Sequence, residues 1–181
     1  MYSPIPELNL LKEFDDSVED WYAPGFELHD FGKDSGYPKA ADRLRDFARA
    51  TRSGSTYAIW LLDGRTDLAA LPLVFLGDEG GINLVACNMR EFFRILASGW
   101  TPCGDWEGVE YFNDREEEEA EDYDPCPDNA KFREWLRRHF RLEAVEDPND
   151  IVEATETQLW DSFAEWIGPI YPDVVNSRTT A

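Results

Sequence analysis

The sequence has few of the residues on which most enzyme active sites depend. Its 181 residues include two histidines and three cysteines, and it contains no phosphate-binding P-loop, GxGxxG, HExxH or GxSxG motif. Cys87, Cys103 and Cys126 are widely spaced and form no CxxC pair, so they support neither a zinc site nor a disulfide framework. We expect three reduced thiols, with Cys87 partly buried. The sequence therefore predicts a protein that is not an enzyme, with no catalytic residue, no metal site and no cofactor.

Long apolar runs are also missing. No run approaches the ~20 residues that a helix needs to cross a bilayer, and residues 1–7 have neither a basic start nor an apolar signal core. The expected location is therefore the cytoplasm. A hydrophobic content of 43% with seven tryptophans argues for a packed domain and against general disorder.

Basic residues are scarce beside acidic ones. There are 17 Lys and Arg against 38 Asp and Glu, which gives a formal net charge of −21. Such a field repels nucleic acid and anionic membranes and attracts basic proteins, which it captures faster. The competing interpretation is that the charge serves solubility alone. The oligomeric state is left open.

The stretch from residue 57 to residue 99 organises the chain. It contains three short apolar runs bounded by Gly and Asp turns, which predict an antiparallel meander of strands: Tyr57–Leu62, Leu71–Leu76 and Ile82–Ala86. The first two runs show almost no alternation of apolar and polar residues, so we expect both faces of these strands to be covered by other parts of the chain. The third alternates, with Ile82, Leu84 and Ala86 on one face and Asn83 on the other.

A helix is predicted directly after the third run, from Asn88 to about Ser98. Asn88 can cap it, and the side chain of Glu91 can reach back to the N–H of the cap residue. Gly99 supplies a left-handed stop. One apolar stripe is formed by Met89, Phe92, Phe93 and Leu96.

The sequence before residue 57 predicts two helices and one extended segment. Leu8 to Phe14 form a short helical stripe, and residues 26–31 look like an added edge strand. Pro38 can open an amphipathic helix that runs to about Thr51. Its apolar stripe is Ala41, Leu44, Phe47 and Ala48. His29 and Asp30 are adjacent on an extended chain and point to opposite faces, so they make no dyad, and His29 is interpreted as a surface residue.

The region after Gly99 begins with an acidic loop over residues 100–127. Its centre, residues 114–124, carries eight acids and one base, and such blocks stay solvated. A helix from Asp128 to about Phe140 follows, whose basic face could bind an external anion or, as we favour, neutralise the acid run. His139 lies beside its apolar stripe and is interpreted as a packed histidine.

A last helix is predicted from about Ile151 to Ile167, closed by a Gly-Pro pair at residues 168–169. Its buried residues are expected to be Val152, Leu159, Trp160, Phe163, Trp166 and Ile167. The tail over residues 176–181 is small and polar and is predicted to fray.

Three segments within residues 40–99 form a recognisable pattern: Leu44–Trp60, Leu71–Ala86 and Glu91–Leu96. Together they resemble the core of the SUKH superfamily, which contains Smi/Knr-type fungal cell-wall regulators and bacterial immunity proteins of polymorphic toxin systems. Later residues resemble the C-terminal extension of bacterial members: Phe132–Leu136, Glu146–Pro148 and Trp166. The acid run is not part of this pattern.

The resemblance implies an α+β fold, with a twisted, mainly antiparallel sheet and helices packed against it. It implies a single domain over residues 1–181, with its core at 38–99, the acidic loop at 100–127 and a helical extension at 128–170. It also implies a non-enzymatic protein that binds another protein.

Two functions remain in competition. The first is a bacterial immunity protein that binds and neutralises a cognate toxin, expected to be basic and to act on nucleic acid. The second is a regulatory or scaffolding module unrelated to toxins. For the first, the candidate partner-binding residues are acids of the turn and of the acid run: Asp78, Glu79, Asp114, Glu116, Glu117, Glu118, Glu119, Glu121, Asp122 and Asp124.

Overall fold

The computed structural model describes residues 1–34, 36–62, 65–113 and 126–179. These contain five α-helices: α1 (Pro6–Asp15), α2 (Met89–Ser98), α3 (Asn129–Phe140), α4 (Pro148–Ile167) and α5 (Pro172–Thr179). They also contain seven strands: β1 (Glu27–Lys33), β2 (Leu44–Arg49), β3 (Thr56–Trp60), β4 (Leu73–Leu76), β5 (Ile82–Ala86), β6 (Thr101–Gly104) and β7 (Val109–Phe112).

Five of these strands form one antiparallel sheet in the order β1-β2-β3-β4-β5, and β6 and β7 form a separate hairpin. Helices pack against the sheet, so the predicted α+β fold class is confirmed. Among the described residues, no helix combines the length and the apolar content that crossing a membrane needs.

Strands β3 and β4 are covered on both faces, as their lack of alternation predicted. On one face, Tyr57 of β3 meets Phe92 of α2 with ring centroids 4.8 Å apart. On the other face, Trp60 meets Phe163 of α4 at 5.3 Å. The two faces form two separate clusters of buried side chains. Every residue of β4 is buried, so this strand has no face in contact with water.

Strand β5 departs from the predicted alternation. All five of its residues are buried, so Asn83 does not lie on a solvated face. The pairing with β4 shifts between Leu84 and Ala86. This shift is a bulge, in which one extra residue reverses the face on which the following side chain, that of Ala86, lies. Ile82 and Leu84 belong to the cluster under α4, whereas Ala86 belongs to the cluster under α2. Placing Ala86 on the face of Leu84 was therefore wrong.

Helix α2 has the predicted ends. The Asn88 side chain accepts a hydrogen bond from the N–H of Glu91 at 3.0 Å, and Gly99 ends the helix at a φ of 72°. The Glu91 carboxylate reaches back, but it accepts from the N–H of Cys87, at 3.0 Å, and not from that of Asn88. The reciprocal cap is thus formed one residue earlier than predicted.

The helix predicted from Pro38 to about Thr51 is wrong. Residues Pro38–Ala40 form one 3-10 turn, and Leu44–Arg49 form strand β2 between β1 and β3. Leu44 and Phe47 are three positions apart, so strand alternation directs Leu44 into the cluster under α4 and Phe47 into the cluster under α2. An amphipathic helix would bury one stripe only, whereas the central strand position buries side chains on both faces, and that burial outweighs helix propensity.

The segments at both ends follow the predictions more closely. The stripe from Leu8 to Phe14 lies in α1, and the extended piece at residues 26–31 lies largely in the edge strand β1. Helices α3 and α4 form where expected, although α4 begins at Pro148. Val152, Phe163 and Ile167 of α4 are buried, whereas Leu159, Trp160 and Trp166 are half-buried.

Two segments predicted to be irregular are ordered elements. Strands β6 and β7 occupy part of the predicted loop at residues 100–127, with Thr101 paired to Phe112. The tail predicted to fray contains the end of α5, which reaches Thr179. This helix is held by tertiary contact, since its Val174 is buried against the sheet.

Interpreting His29 as a surface residue was wrong. Its side chain is 20% exposed, and its Nε2 lies 2.7 Å from Oδ1 of Asp46, which is 2% exposed and comes from the neighbouring strand β2. Thr56 donates to the other oxygen of the same carboxylate at 2.7 Å. Among the described residues, neither His29 Nε2 nor Asp46 Oδ1 has a hydrogen bond of good geometry. The contact is an ion pair whenever His29 is protonated.

This ion pair makes stability depend on pH. Burial alone would lower the pKa of His29. The charge of Asp46 and its position at hydrogen-bonding distance outweigh the effect of burial, so the pKa of His29 is raised above 6.5. A pKa that is raised on folding adds stability at pH values below the unfolded value. That stability is lost as the pH rises through the folded pKa.

We expect His29→Gln to destabilise the fold more at about pH 6 than at about pH 9. Glutamine keeps a neutral donor for Asp46 but cannot carry the positive charge, so the loss at low pH should be on the order of 1 kcal/mol. Urea unfolding at both pH values measures it, with the exposed His139→Gln as the control. A loss from His29→Gln that is the same at both pH values would contradict this account.

Candidate functional site

Two of the predicted partner-binding residues lie together on the turn between β4 and β5. Asp78 and Glu79 are exposed on the segment from Gly77 to Gly81. The others lie outside the described residues: Asp114, Glu116, Glu117, Glu118, Glu119, Glu121, Asp122 and Asp124. The site that can be built from geometry is therefore the surroundings of this turn.

The turn is closed by its own backbone and by one tyrosine. The N–H of Gly77 donates to the carbonyl of Gly81 at 3.0 Å. The Tyr37 hydroxyl lies 2.7 Å and 2.9 Å from the carbonyl oxygens of the same two glycines. Burial raises the pKa of Tyr37 to about 12, so the hydroxyl keeps its proton and remains a donor. Tyr37 therefore ties the two ends of the turn to a segment 40 residues earlier in the chain.

A second contact fixes the turn from the side of the β6–β7 hairpin. A Cβ atom built on Gly80, whose φ is +114°, would lie 2.2 Å from Cζ2 of Trp106, so only glycine permits this approach of the indole ring. The side chain of Asn83 donates to the carbonyl of Asp105 at 2.9 Å. Ser177 of α5 donates to the carbonyl of Trp106 at 2.5 Å. Two segments that are distant from Trp106 in sequence, the β4–β5 region and α5, thus hold it beside the turn.

Between these elements lies a cleft of about 620 Å³, which we call the acidic aromatic cleft. Tyr37 and Tyr171 meet edge-to-face in its lining, with ring centroids 5.6 Å apart, and Nζ of Lys39 lies 5.7 Å from the centroid of Tyr171. The cleft is lined mainly by aromatic rings, charged groups and turn residues: Gly36, Tyr37, Pro38, Lys39, Gly54, Thr56, Leu76, Gly77, Asp78, Glu79, Gly80, Trp106 and Tyr171.

The charge in the cleft is set by its two carboxylates. Ser55 donates to Oδ1 of Asp78 at 2.5 Å, and this hydrogen bond lowers the pKa of Asp78. Ser53 donates to the same oxygen at 3.3 Å. Within the described part of the chain, the Glu79 carboxylate has no hydrogen bond or ion pair. Two negative charges therefore face one positive charge, that of Lys39, in a protein of net charge −21.

This arrangement is suited to binding a cation and offers little for catalysis. Neither histidine lines the cleft, and Tyr37 remains protonated near neutral pH. Carboxylates beside exposed aromatic faces attract cationic groups by direct charge and by cation–π contact. Within the described residues, no group of three or more His, Cys, Asp or Glu side chains is placed to hold a metal ion.

None of the three cysteines lines the cleft. Cys87 is half-buried, as expected, Cys103 is exposed and Cys126 is buried, and none of them is in a disulfide. Burial raises the pKa of Cys87, which keeps it in the less reactive thiol form.

The basic face of α3 finds acidic partners close by. Lys131 pairs with Asp128 at 2.6 Å, and Arg137 contacts Glu143 at 2.8 Å and Glu134 at 3.0 Å. Whether the acid run also pairs with this face lies outside the described residues. His139 is exposed, and its ring centroid is 5.4 Å from that of Trp135.

Sequence reasoning found the acids of the cleft but not its aromatic lining. Tyr37, Trp106 and Tyr171 are separated by tens of residues, and no local pattern connects them. One signal was available: Trp106 lies in a short turn between Gly104 and Gly108, where a large apolar side chain must find its contacts elsewhere in the fold.

Comparison with protein families, curated proteins and solved structures finds no match to this chain. The class of this protein is described by its fold and its cleft alone: it is an α+β protein with a preformed acidic aromatic cleft. Membership of the SUKH superfamily stays a prediction from the sequence.

We expect Gly80→Ala to destabilise the fold or to expel Trp106 from its position, because the new methyl group would overlap the indole ring. Gly54→Ala is a matched control. Gly54 has a similar φ, +127°, but a Cβ there would meet only Cβ of Asp78 at an ordinary 3.7 Å. Urea unfolding should give a loss from Gly80→Ala about 1–3 kcal/mol larger than that from Gly54→Ala. Equal losses would show that Trp106 does not constrain this turn.

Proposed function

We propose that this protein is an immunity protein, which binds a cognate basic toxin that acts on nucleic acid and blocks it. The observation that carries the proposal is the pair of exposed carboxylates, Asp78 and Glu79, at a preformed aromatic cleft in a protein of net charge −21. The resemblance of the sequence to the SUKH superfamily supports the same function.

The mechanism follows from electrostatics. A nucleic-acid-targeting toxin carries a basic surface that binds phosphates, and an acidic protein competes for that surface by presenting carboxylates in their place. The net charge steers the toxin toward the acidic protein and speeds association. The bound protein then covers the basic surface and excludes the nucleic acid. The acid run at residues 114–124 would add to the steering charge.

The first test is capture of a polypeptide encoded beside this gene by the purified full-length protein. Capture of a basic toxin domain is expected at about 0.1 M salt, where charges interact over ~10 Å, and loss of capture near 1 M, where that range falls to ~3 Å. The captured toxin should be inactive on nucleic acid and should regain activity after elution at about 1 M salt and return to about 0.1 M, since high salt also weakens its own binding to phosphates.

Replacement of the acids at residues 114–124 by lysines tests the contribution of the acid run. We expect toxin capture to weaken and its salt dependence to become less steep, because fewer charges contribute to steering. Unchanged capture with unchanged salt dependence would remove the acid run from the interface. Capture of a cell-wall or cytoskeletal protein without any toxin would replace the immunity function by the regulatory or scaffolding one.

A further inference from the structure

The acidic aromatic cleft has the chemistry of a receptor for one cationic side chain. We propose that it binds a single arginine side chain of the partner, with the guanidinium held by Asp78 and Glu79 and stacked on an aromatic ring. This proposal rests on the proposed function, because it names the group of the basic partner that the cleft recognises. It is tested separately from toxin capture.

Three of the four oxygens in the two carboxylates remain available to accept hydrogen bonds from a ligand. Of the oxygens of Asp78, Oδ1 already accepts from Ser55 and Ser53, which orients the group without neutralising it. Among the residues described, Oδ2 and both oxygens of Glu79 accept no hydrogen bond and form no ion pair. A guanidinium presents five N–H donors in a planar fork, so it can satisfy two neighbouring carboxylates at once.

The rings provide the second half of the site. The side chain of Trp106 is 37% exposed. Its ring packs on Gly80, and hydrogen bonds from Asn83 and Ser177 fix the backbone of its turn. It is therefore an exposed aromatic surface that loses little conformational freedom on binding. Indole is the best aromatic partner for a cation.

Lys39 shows that this lining already accommodates a cation. Its Nζ lies 5.7 Å from the centroid of the Tyr171 ring, within cation–π range, and it forms no ion pair with any of the described residues. A partner arginine entering the cleft must approach this positive charge. Lys39 therefore competes with the ligand, and removing its charge should strengthen binding.

Arginine fits the cleft better than lysine for three reasons. Its head group is planar and can stack on a ring, it can engage two carboxylates at once, and it is more weakly hydrated than an ammonium group. Anionic ligands are disfavoured by the two carboxylates. The cleft volume, about 620 Å³, exceeds what one long side chain needs, so the neighbouring residues of the partner can enter with it.

The experiment uses the full-length chain labelled with ¹⁵N and the probe N-acetyl-arginine-amide. The indole N–H signal of Trp106, identified by its absence in Trp106→Phe, should move in a saturable way together with the backbone signals of residues 77–81. For one isolated side chain we expect a dissociation constant on the order of millimolar. N-acetyl-citrulline-amide, which has nearly the same shape without the charge, should cause no such shift, and N-acetyl-lysine-amide should bind more weakly.

Substitutions in the cleft give the decisive comparison. Asp78→Asn with Glu79→Gln should weaken arginine binding at least about tenfold, and asparagine keeps the acceptor for Ser55. Removal of two exposed acids outside the cleft, Glu13→Gln with Glu153→Gln, is the control of equal charge change and should weaken it less than about twofold. Lys39→Gln should tighten binding by about three- to fivefold.

The outcomes separate this proposal from the proposed function. Equal shifts from the citrulline and arginine probes, or equal effects of the cleft and control pairs, would overturn the arginine site. If a toxin is captured while the arginine probe leaves Trp106 unmoved, the immunity function stands and the cleft is not the arginine site. If the probe binds as expected while no basic partner is captured, the site stands and the immunity function fails.

Discussion

The burial of the central sheet on both faces is the constraint on which the rest of the structure depends. Strands β3, β4 and β5 present apolar side chains to both sides, so two separate layers must cover them. Helix α2 supplies one layer through Phe92, and α4 supplies the other through Phe163. Each fully buried aromatic side chain contributes about 1.5–3 kcal/mol by leaving water. The chain can satisfy both faces only by bringing its C-terminal third back onto the sheet.

The cleft is a consequence of that return. Once α4 lies on the second face, α5 is carried to the end of the sheet where the β4–β5 turn emerges, and its Val174 joins the buried cluster. Ser177 and Tyr171 of this region then reach the β6–β7 turn and the cleft. The site is thus built from turns whose positions are set by packed elements, and a site built in this way needs little ordering when it binds.

The net charge of the protein and the two carboxylates of the cleft have different physical roles. The net charge acts at long range and raises the rate at which a basic partner arrives, without selecting among basic partners. The pair of carboxylates beside Trp106 acts only at contact, where direction and shape matter. Their position at an aromatic surface is the basis of the proposed site for a partner side chain.

Local determinants decided what could be predicted from the sequence. Helix α2 was predicted almost to the residue because its cap, its apolar stripe and its Gly99 stop all lie within twelve consecutive positions. The strands β3 and β4 were predicted because a short apolar run without alternation, bounded by turns, is typical of a strand covered on both faces. The exposed acids of the β4–β5 turn followed from a glycine-rich turn between two such runs.

Tertiary contacts decided the rest. The apolar spacing of Ala41, Leu44 and Phe47 fits a helix, but Leu44–Arg49 form a strand because pairing between β1 and β3 buries side chains on both faces, and Ala41 lies exposed before it. His29 found its partner on the neighbouring strand, and α5 is held by the sheet it covers. Tyr37 reaches the turn from 40 residues away. Sequence alone therefore determined the elements with strong local signals, such as α2, β3 and β4, and the acidic charge, whereas the cleft exists only because long-range packing brings distant rings to one turn.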